Sequence, residues 1–188
     1  MLKKITSATV ASLLLATTVV AREHHEKEGE YYLIVKGLLT TTETLHEGEG
    51  ETLEADMGGG IGVDIGYRLP YHFAVELDTS YSKNKVTKKE EGVAEILSGN
   101  ATYWTYAADI TYTYPIVYHL GIMGKVGYEF EHEEIDALGI KGDDSGLVYG
   151  GGLEYHINSH YEALVEYEES SIKSPRGSSI YAGVKYIF

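Results

Sequence analysis

Along most of this chain, apolar and polar residues alternate one by one. The last stretch displays the pattern plainly: Ile180, Ala182, Val184, Tyr186 and Phe188 make one face, with Ser179, Gly183 and Lys185 on the other. A period of two is the mark of a strand with unlike faces. It recurs in eight segments, roughly Glu30–Leu39, Met57–Leu69, Tyr71–Ser82, Asn100–Tyr114, Val117–Glu131, Gly146–Ile157, His160–Glu169 and Ser178–Phe188. Each is near or above the ~9–11 residues with which a tilted strand crosses a bilayer. In several strands the apolar face forms a continuous row: Phe73, Val75 and Leu77 in the third, Trp104, Tyr106, Ala108 and Ile110 in the fourth, Ile122, Val126 and Tyr128 in the fifth. In the first strand, Tyr31, Leu33 and Val35 are assigned outward because this turns Lys36 inward. The predicted fold is all-β, an eight-stranded antiparallel up-and-down transmembrane barrel with its apolar face in lipid and its charge inside.

The connections agree with this reading. Long gaps follow the odd strands (Thr40–Asp56, Lys83–Gly99, His132–Ser145, Ser170–Gly177), and tight turns follow the even ones, at Pro70, Pro115-Ile116 and Asn158-Ser159. Alternation of this kind puts every long loop on one side of a membrane and every short turn on the other. Aromatic residues gather at both ends of the strands. Tyr67, Tyr112, Tyr155 and Phe188 would ring the inner interface, and Tyr81, Trp104, Tyr128 and Tyr167 the outer one, as amphipathic girdles do. The general β-propensity of tyrosine is the competing explanation.

Residues 1–21 start with Lys3 and Lys4, continue through an apolar stretch and end in Val19-Val20-Ala21. They read as a secretory signal cleaved between Ala21 and Arg22, followed by a mobile tail over 22–29 and a barrel over 30–188. Removing two lysines and no acids takes the formal charge from −14 to −16 and the length from 188 to 167 residues. So acidic a chain lacks the basic face that a nucleic-acid partner requires. With no cysteine, no disulfide contributes.

The signal, the eight strands, the alternating loops and the terminal Tyr186-x-Phe188 resemble the OmpA-type eight-stranded outer-membrane barrel family over the whole mature chain. The resemblance implies that Ile180, Ala182, Val184, Tyr186 and Phe188 form the C-terminal signal read by the outer-membrane assembly machinery. It also implies an integral location in the outer membrane among its lipid and lipopolysaccharide. Nothing follows Phe188, so the peptidoglycan-binding domain of some relatives is not expected.

The predicted interior carries Lys36, Asp64, Arg68, His72, Glu76, Asp78, Asp109, His119, Lys125, Glu129, Glu154, His156, Glu162, Glu166 and Lys185. Buried charges need partners, so Lys36, Arg68, Lys125 and Lys185 are expected to bridge Asp64, Glu76, Asp109, Glu154 and Glu166. Glycines on the same face, among them Gly62, Gly66, Gly127 and Gly152, admit two readings: a water track favouring cations, or room for facing side chains.

Catalytic motifs are weak. Gly58-Gly59-Gly60-Ile61-Gly62 lacks the lysine and helix of a phosphate-binding loop. His156 and His160 flank Ser159 near Glu154 and Glu162, yet no His-x-Ser motif of the lipid-A deacylases is present. His24-His25 with Glu23 and Glu26, and acidic gaps such as Glu43–Asp56, offer metal-type ligands without a fixed geometry. The expectation is therefore a non-enzymatic protein without a cofactor, structural or interacting through its outer loops. The alternatives are a narrow cation-preferring channel and a lipid-A-modifying enzyme.

Overall fold

The computed structural model describes residues 29–47, 51–90, 97–135 and 139–188. Their strands are β1 (Tyr31–Thr40), β2 (Glu43–Glu47), β3 (Glu51–Ala55), β4 (Gly58–Arg68), β5 (Phe73–Glu90), β6 (Leu97–Val117), β7 (Leu120–Ile135), β8 (Ile140–His156), β9 (Tyr161–Ser170) and β10 (Ser179–Ile187). All but β2 and β3 form one antiparallel ring, β1–β4–β5–β6–β7–β8–β9–β10. The ring closes where β10 pairs with β1, from Tyr32↔Ile187 to Thr40↔Ser179. The result is the eight-stranded up-and-down barrel that the period-two pattern predicts.

The two faces are inverted relative to a water-soluble sheet. Ile61, Ile65, Leu77 and Val126 expose 66%, 58%, 67% and 54% of their surface, while Lys36, Asp64 and Glu162 expose 1% each. With apolar residues outside and charge inside, lipid is the solvent that suits this wall. Aromatic pairs mark its two edges. Tyr31–Tyr67 and Phe73–Tyr112 lie at one end with centroids 4.8 and 4.9 Å apart, and Tyr81–Trp104 at the other at 4.7 Å.

Three features depart from the sequence-based expectation. The gaps Lys83–Gly99 and His132–Ser145, read as loops, are largely strand: β5–β6 and β7–β8 continue past the aromatic edge as projecting hairpins. The gap Thr40–Asp56 holds the hairpin β2–β3, whose Ala55 stands opposite Val86 of β5. Inward positions stay inward there, but their chemistry changes. Leu53, Ala55, Val86, Ala101, Tyr103 and Ile135 form an apolar cluster, with Leu45 and Ile140 packed against it. Beyond the bilayer the outward face meets water, so the inward face can take up the apolar residues.

The second departure is the turn predicted at Pro115-Ile116. β6 runs on to Val117, with a register shift against β7 between Pro115 and Val117. Proline cannot donate a ladder bond, and here it shifts the pairing without ending it. The turn falls at Tyr118-His119, so His119 is exposed, its ring edge-on to Tyr118 at 4.4 Å, and does not lie in the barrel interior. The third departure is at Tyr71 and His72, where β5 has not yet begun. Both adopt left-handed backbone, φ 62° and 65°, within a 3-10 turn at Pro70–His72.

Candidate functional site: a charged interior and a projecting rim

Lys36, Asp64, Arg68, Glu76, Asp109, Lys125, Glu154, Glu166 and Lys185 are all buried within the barrel. With their partners they make up the lower two of three charged layers. At the level of the even-strand turns, Arg68 Nη2 is 2.6 Å from Glu162 and His156 Nδ1 is 2.7 Å from the same carboxylate. Lys185 pairs with Glu154 and lies 3.5 Å from Glu162. In the middle, Lys36 Nζ lies 2.8 Å from Asp64 and 2.5 Å from Asp78. Lys125 Nζ lies 2.7 Å from both Glu166 and Glu168, with Asp109 at 3.4 Å.

The upper layer centres on a residue that lies outside every predicted strand. Arg176 enters the mouth from the β9–β10 connection and is 3% exposed. Its guanidinium forks onto Glu129, donating 3.1 and 2.6 Å hydrogen bonds, and its Nε is 2.9 Å from Glu131. Burial alone would lower the Arg176 pKa, but Glu129 and Glu131 outweigh that and hold it above its ordinary value. Asn84 donates to the carbonyl of Pro175 at 2.9 Å, tying the same segment to β5. One signal did point to Arg176. The chain uses lysine almost everywhere and arginine at three positions, Arg22, Arg68 and Arg176, and a buried carboxylate favours the planar fork.

Among the described residues, ten buried carboxylates face five buried Lys and Arg side chains. The surplus acids therefore depend on neutral donors. Tyr32 OH donates to Glu76 at 2.6 Å, Thr113 Oγ1 to Glu154 at 2.9 Å and Tyr181 OH to Glu168 at 3.3 Å. Lysine ammonium groups also lie over rings, with Lys36 Nζ 4.2 Å from the Tyr181 centroid.

The inward glycines make room for these side chains. A Cβ at Gly66 would stand 2.1 Å from the Tyr32 ring, and one at Gly127 would stand 1.8 Å from Asp109 Oδ1. Near Tyr32, Arg68 and Lys185 the free space is about 10 Å³, close to one water molecule. Above Arg176 lies the apolar cluster of the projecting strands. Its Tyr103 phenol is held well above its ordinary pKa, first by burial and then by Glu133 and Glu131.

The rim is less bare than its composition suggests. Glu51 pairs with Lys88 at 2.8 Å and Glu54 with Lys89 at 2.5 Å, joining hairpin β2–β3 to β5. His132 Nδ1 is 2.6 Å from Asp143, and Lys141 pairs with Glu134. Among the described residues, no three carboxylate or imidazole groups converge as metal ligands would. Ser159 Oγ lies 3.0 Å from His160 Nδ1, while Glu162 engages His156 and Arg68 instead. Ile180, Ala182, Val184, Tyr186 and Phe188 form the outward row of the final strand, with Tyr186 5.2 Å from Phe188 and 5.1 Å from Tyr161. Ala21, Arg22 and the His24-His25 pair lie outside the described residues.

A closed ring of lipid-facing strands around a charged core defines an integral β-barrel of the outer membrane. Residues 8–188 match the family described as the outer membrane protein beta-barrel domain, and the chain belongs to that family. No curated protein matches it by sequence. Among solved structures, it is similar to the outer membrane protein OprG from Pseudomonas aeruginosa (TM-score 0.69, 14% identity, covering 86% of this chain and 97% of that one). Neisserial surface protein A is similar at TM-score 0.59 and 13% identity, over 86% and 100% of the two chains. Ail, the attachment invasion locus protein of Yersinia pestis, solved in complex with the heparin analogue sucrose octasulfate, is similar at 0.58 and 16%, over the same shares. At these identities the likeness is one of fold.

Proposed function

We propose that this outer-membrane barrel is non-conducting and non-enzymatic, and that it acts as a structural and surface-interaction protein through its projecting hairpins. The observation that supports the reading is Arg176 held by Glu129 and Glu131, with the apolar cluster of the projecting strands above it. A barrel filled in this way has no use for its lumen. Its hairpins, stiffened by cross-strand ion pairs, are the part that meets the surroundings. In this reading they face outward and the tight turns face the periplasm. The chain is exported with a leader cleaved after Ala21, and the row ending in Phe188 is what the assembly machinery engages.

The test is single-channel recording from mature protein refolded in detergent and inserted into planar bilayers. The intact mass of protein expressed from the full chain and purified from outer membranes would report cleavage before Arg22. Silence is expected from protein whose folding is established by heat-modifiable gel mobility. Reproducible cation-selective steps would overturn the reading in favour of a channel. Release of acyl chains from labelled lipid A would overturn it in favour of an enzyme.

A further inference from the structure

The barrel closes, but the projecting part above it does not. There the strands continue in the order β2–β3–β5–β6–β7–β8. The ladder of β1 and β10 stops lower, at Thr40↔Ser179, with one more bond from Thr41 N–H to the Ser178 carbonyl at 2.9 Å. β9 leaves β8 at Ser170↔Val148, where Ser171 N–H adds a bond of 2.8 Å to the Leu147 carbonyl. Among the described residues, no strand pairs with the outer side of β2, or with the side of β8 above Leu147 that faces away from β7. The projecting sheet therefore has two free edges, with residues 171–178 between them.

The edge of β2 borders a cleft of about 140 Å³. Glu43 and Leu45 wall it on one side, and Glu169, Ile172, Lys173 and Ser178 on the other. At Gly177 the walls come close, since a Cβ there would stand 3.4 Å from that of Glu43. Glu169 is anchored, its Oε2 accepting from Ser178 at 2.9 Å and from the Tyr167 hydroxyl. Glu43 is half-buried and, among the described residues, has no cationic partner. The cleft thus carries two carboxylates to one ammonium, that of exposed Lys173.

Free edges invite strand addition, and proteins blunt them with charges, proline or bulges. β2, Glu43-Thr44-Leu45-His46-Glu47, has no proline and pairs with β3 without a register shift. We propose that β2 takes up an extended segment of a partner polypeptide as an added strand, with a basic side chain of that segment entering the cleft between Glu43 and Glu169. Main-chain bonds supply the affinity of such a contact, and side-chain pockets its selectivity. Glu43 is the guard of the edge: it turns away strands that bring no cation and favours those that do. A second copy of this edge would set its own Glu43 against these carboxylates, so charge disfavours self-pairing. The inference rests on the reading of the projecting hairpins as the interacting part of the molecule.

Hydrogen exchange on the full mature barrel in lipid nanodiscs tests the site, with a short peptide of alternating threonine and lysine as the probe. The peptide should slow exchange at least tenfold at the β2 amides that face away from β3. The same peptide N-methylated at every backbone nitrogen keeps its charge but cannot donate a ladder bond, and should give no protection. A peptide of alternating threonine and glutamate should give none either. Glu43→Gln should weaken the protection several-fold, while Asp56→Asn, which removes an exposed acid beside the same hairpin, should leave it unchanged. The proposal is overturned if the N-methylated or the acidic peptide protects equally, if Glu43→Gln is protected like the parent, or if Asp56→Asn loses as much. The N-methylated comparison needs no substitution, so it decides the matter even where Glu43→Gln does not fold. Absence of protection by the basic peptide removes this site and leaves the surface role, which fails instead on cation-selective conductance.

Discussion

Arg176→Ala removes the cation that Glu129 and Glu131 share in the upper layer. The guanidinium supplies two hydrogen bonds to Glu129 and lies 2.9 Å from Glu131, all in a site where it is 3% exposed. Truncation leaves two buried carboxylates without that counter-charge, which typically costs about 3–5 kcal/mol. With a urea slope of ~1–3 kcal/mol per molar, a loss of ~4 kcal/mol moves the unfolding midpoint down by roughly 1–4 M. Arg176→Lys keeps the charge but loses the planar fork, and should cost about 1–2 kcal/mol. The pH dependence has a definite sign. Protonation neutralises an abandoned carboxylate, so the deficit of Arg176→Ala is largest at alkaline pH and shrinks as the pH is lowered. The assay is urea unfolding in lipid vesicles followed by tryptophan fluorescence, since Trp104 lies on the outer girdle. A deficit below ~0.5 kcal/mol at neutral pH, or one that grows on acidification, would refute the view that Arg176 locks the mouth.

Two further outcomes follow from other parts of the barrel. Gly66→Ala drives a Cβ into the Tyr32 ring and should lower stability by about 1–3 kcal/mol, whereas Gly37→Ala meets nothing within 4 Å and should be nearly neutral. Equal urea midpoints for the two variants would show that Tyr32 yields freely. Deleting Phe188 removes the end of the outward row beside Tyr186 and should slow insertion catalysed by the assembly machinery severalfold, with spontaneous refolding in detergent little changed. Equal slowing of both reactions would reduce Phe188 to an ordinary packing residue.

The sequence made the barrel legible because a bilayer enforces one polarity rule along every strand. Lys36, Asp64, Lys125 and Glu166 announce the inner face by interrupting apolar rows such as Val63-x-Ile65 and Ile122-x-x-x-Val126. The rule holds only within lipid, which is why the projecting strands were missed. Lys83-Asn84-Lys85-Val86-Thr87-Lys88-Lys89 keeps the period of two, but its outward residues are cationic and Val86 points in. A reading tuned to apolar-out takes that for a loop. Arg176 was hidden for a different reason. It reaches the interior from an irregular connection, where no periodicity states which way a side chain points. Pro115 has the sequence signature of a strand end, yet the strand passes through it with a shift, which carries His119 out of the interior.

The seam between β1 and β10 has a consequence for how the molecule comes into being. Lys36 and Lys185 belong to the first and last strands of the ring, yet the acids they neutralise, Asp64, Asp78 and Glu154, sit on strands between them. A sheet that lacked β10 would hold Glu154 with Lys185 still undelivered, and a curved fragment in that condition has no stable place in lipid. Charge balance arrives together with closure, so the barrel should be made in one cooperative event, with half-built forms too costly to accumulate. The ion pairs thereby act as a checkpoint on completeness: only a chain threaded to its final strand can silence its own interior.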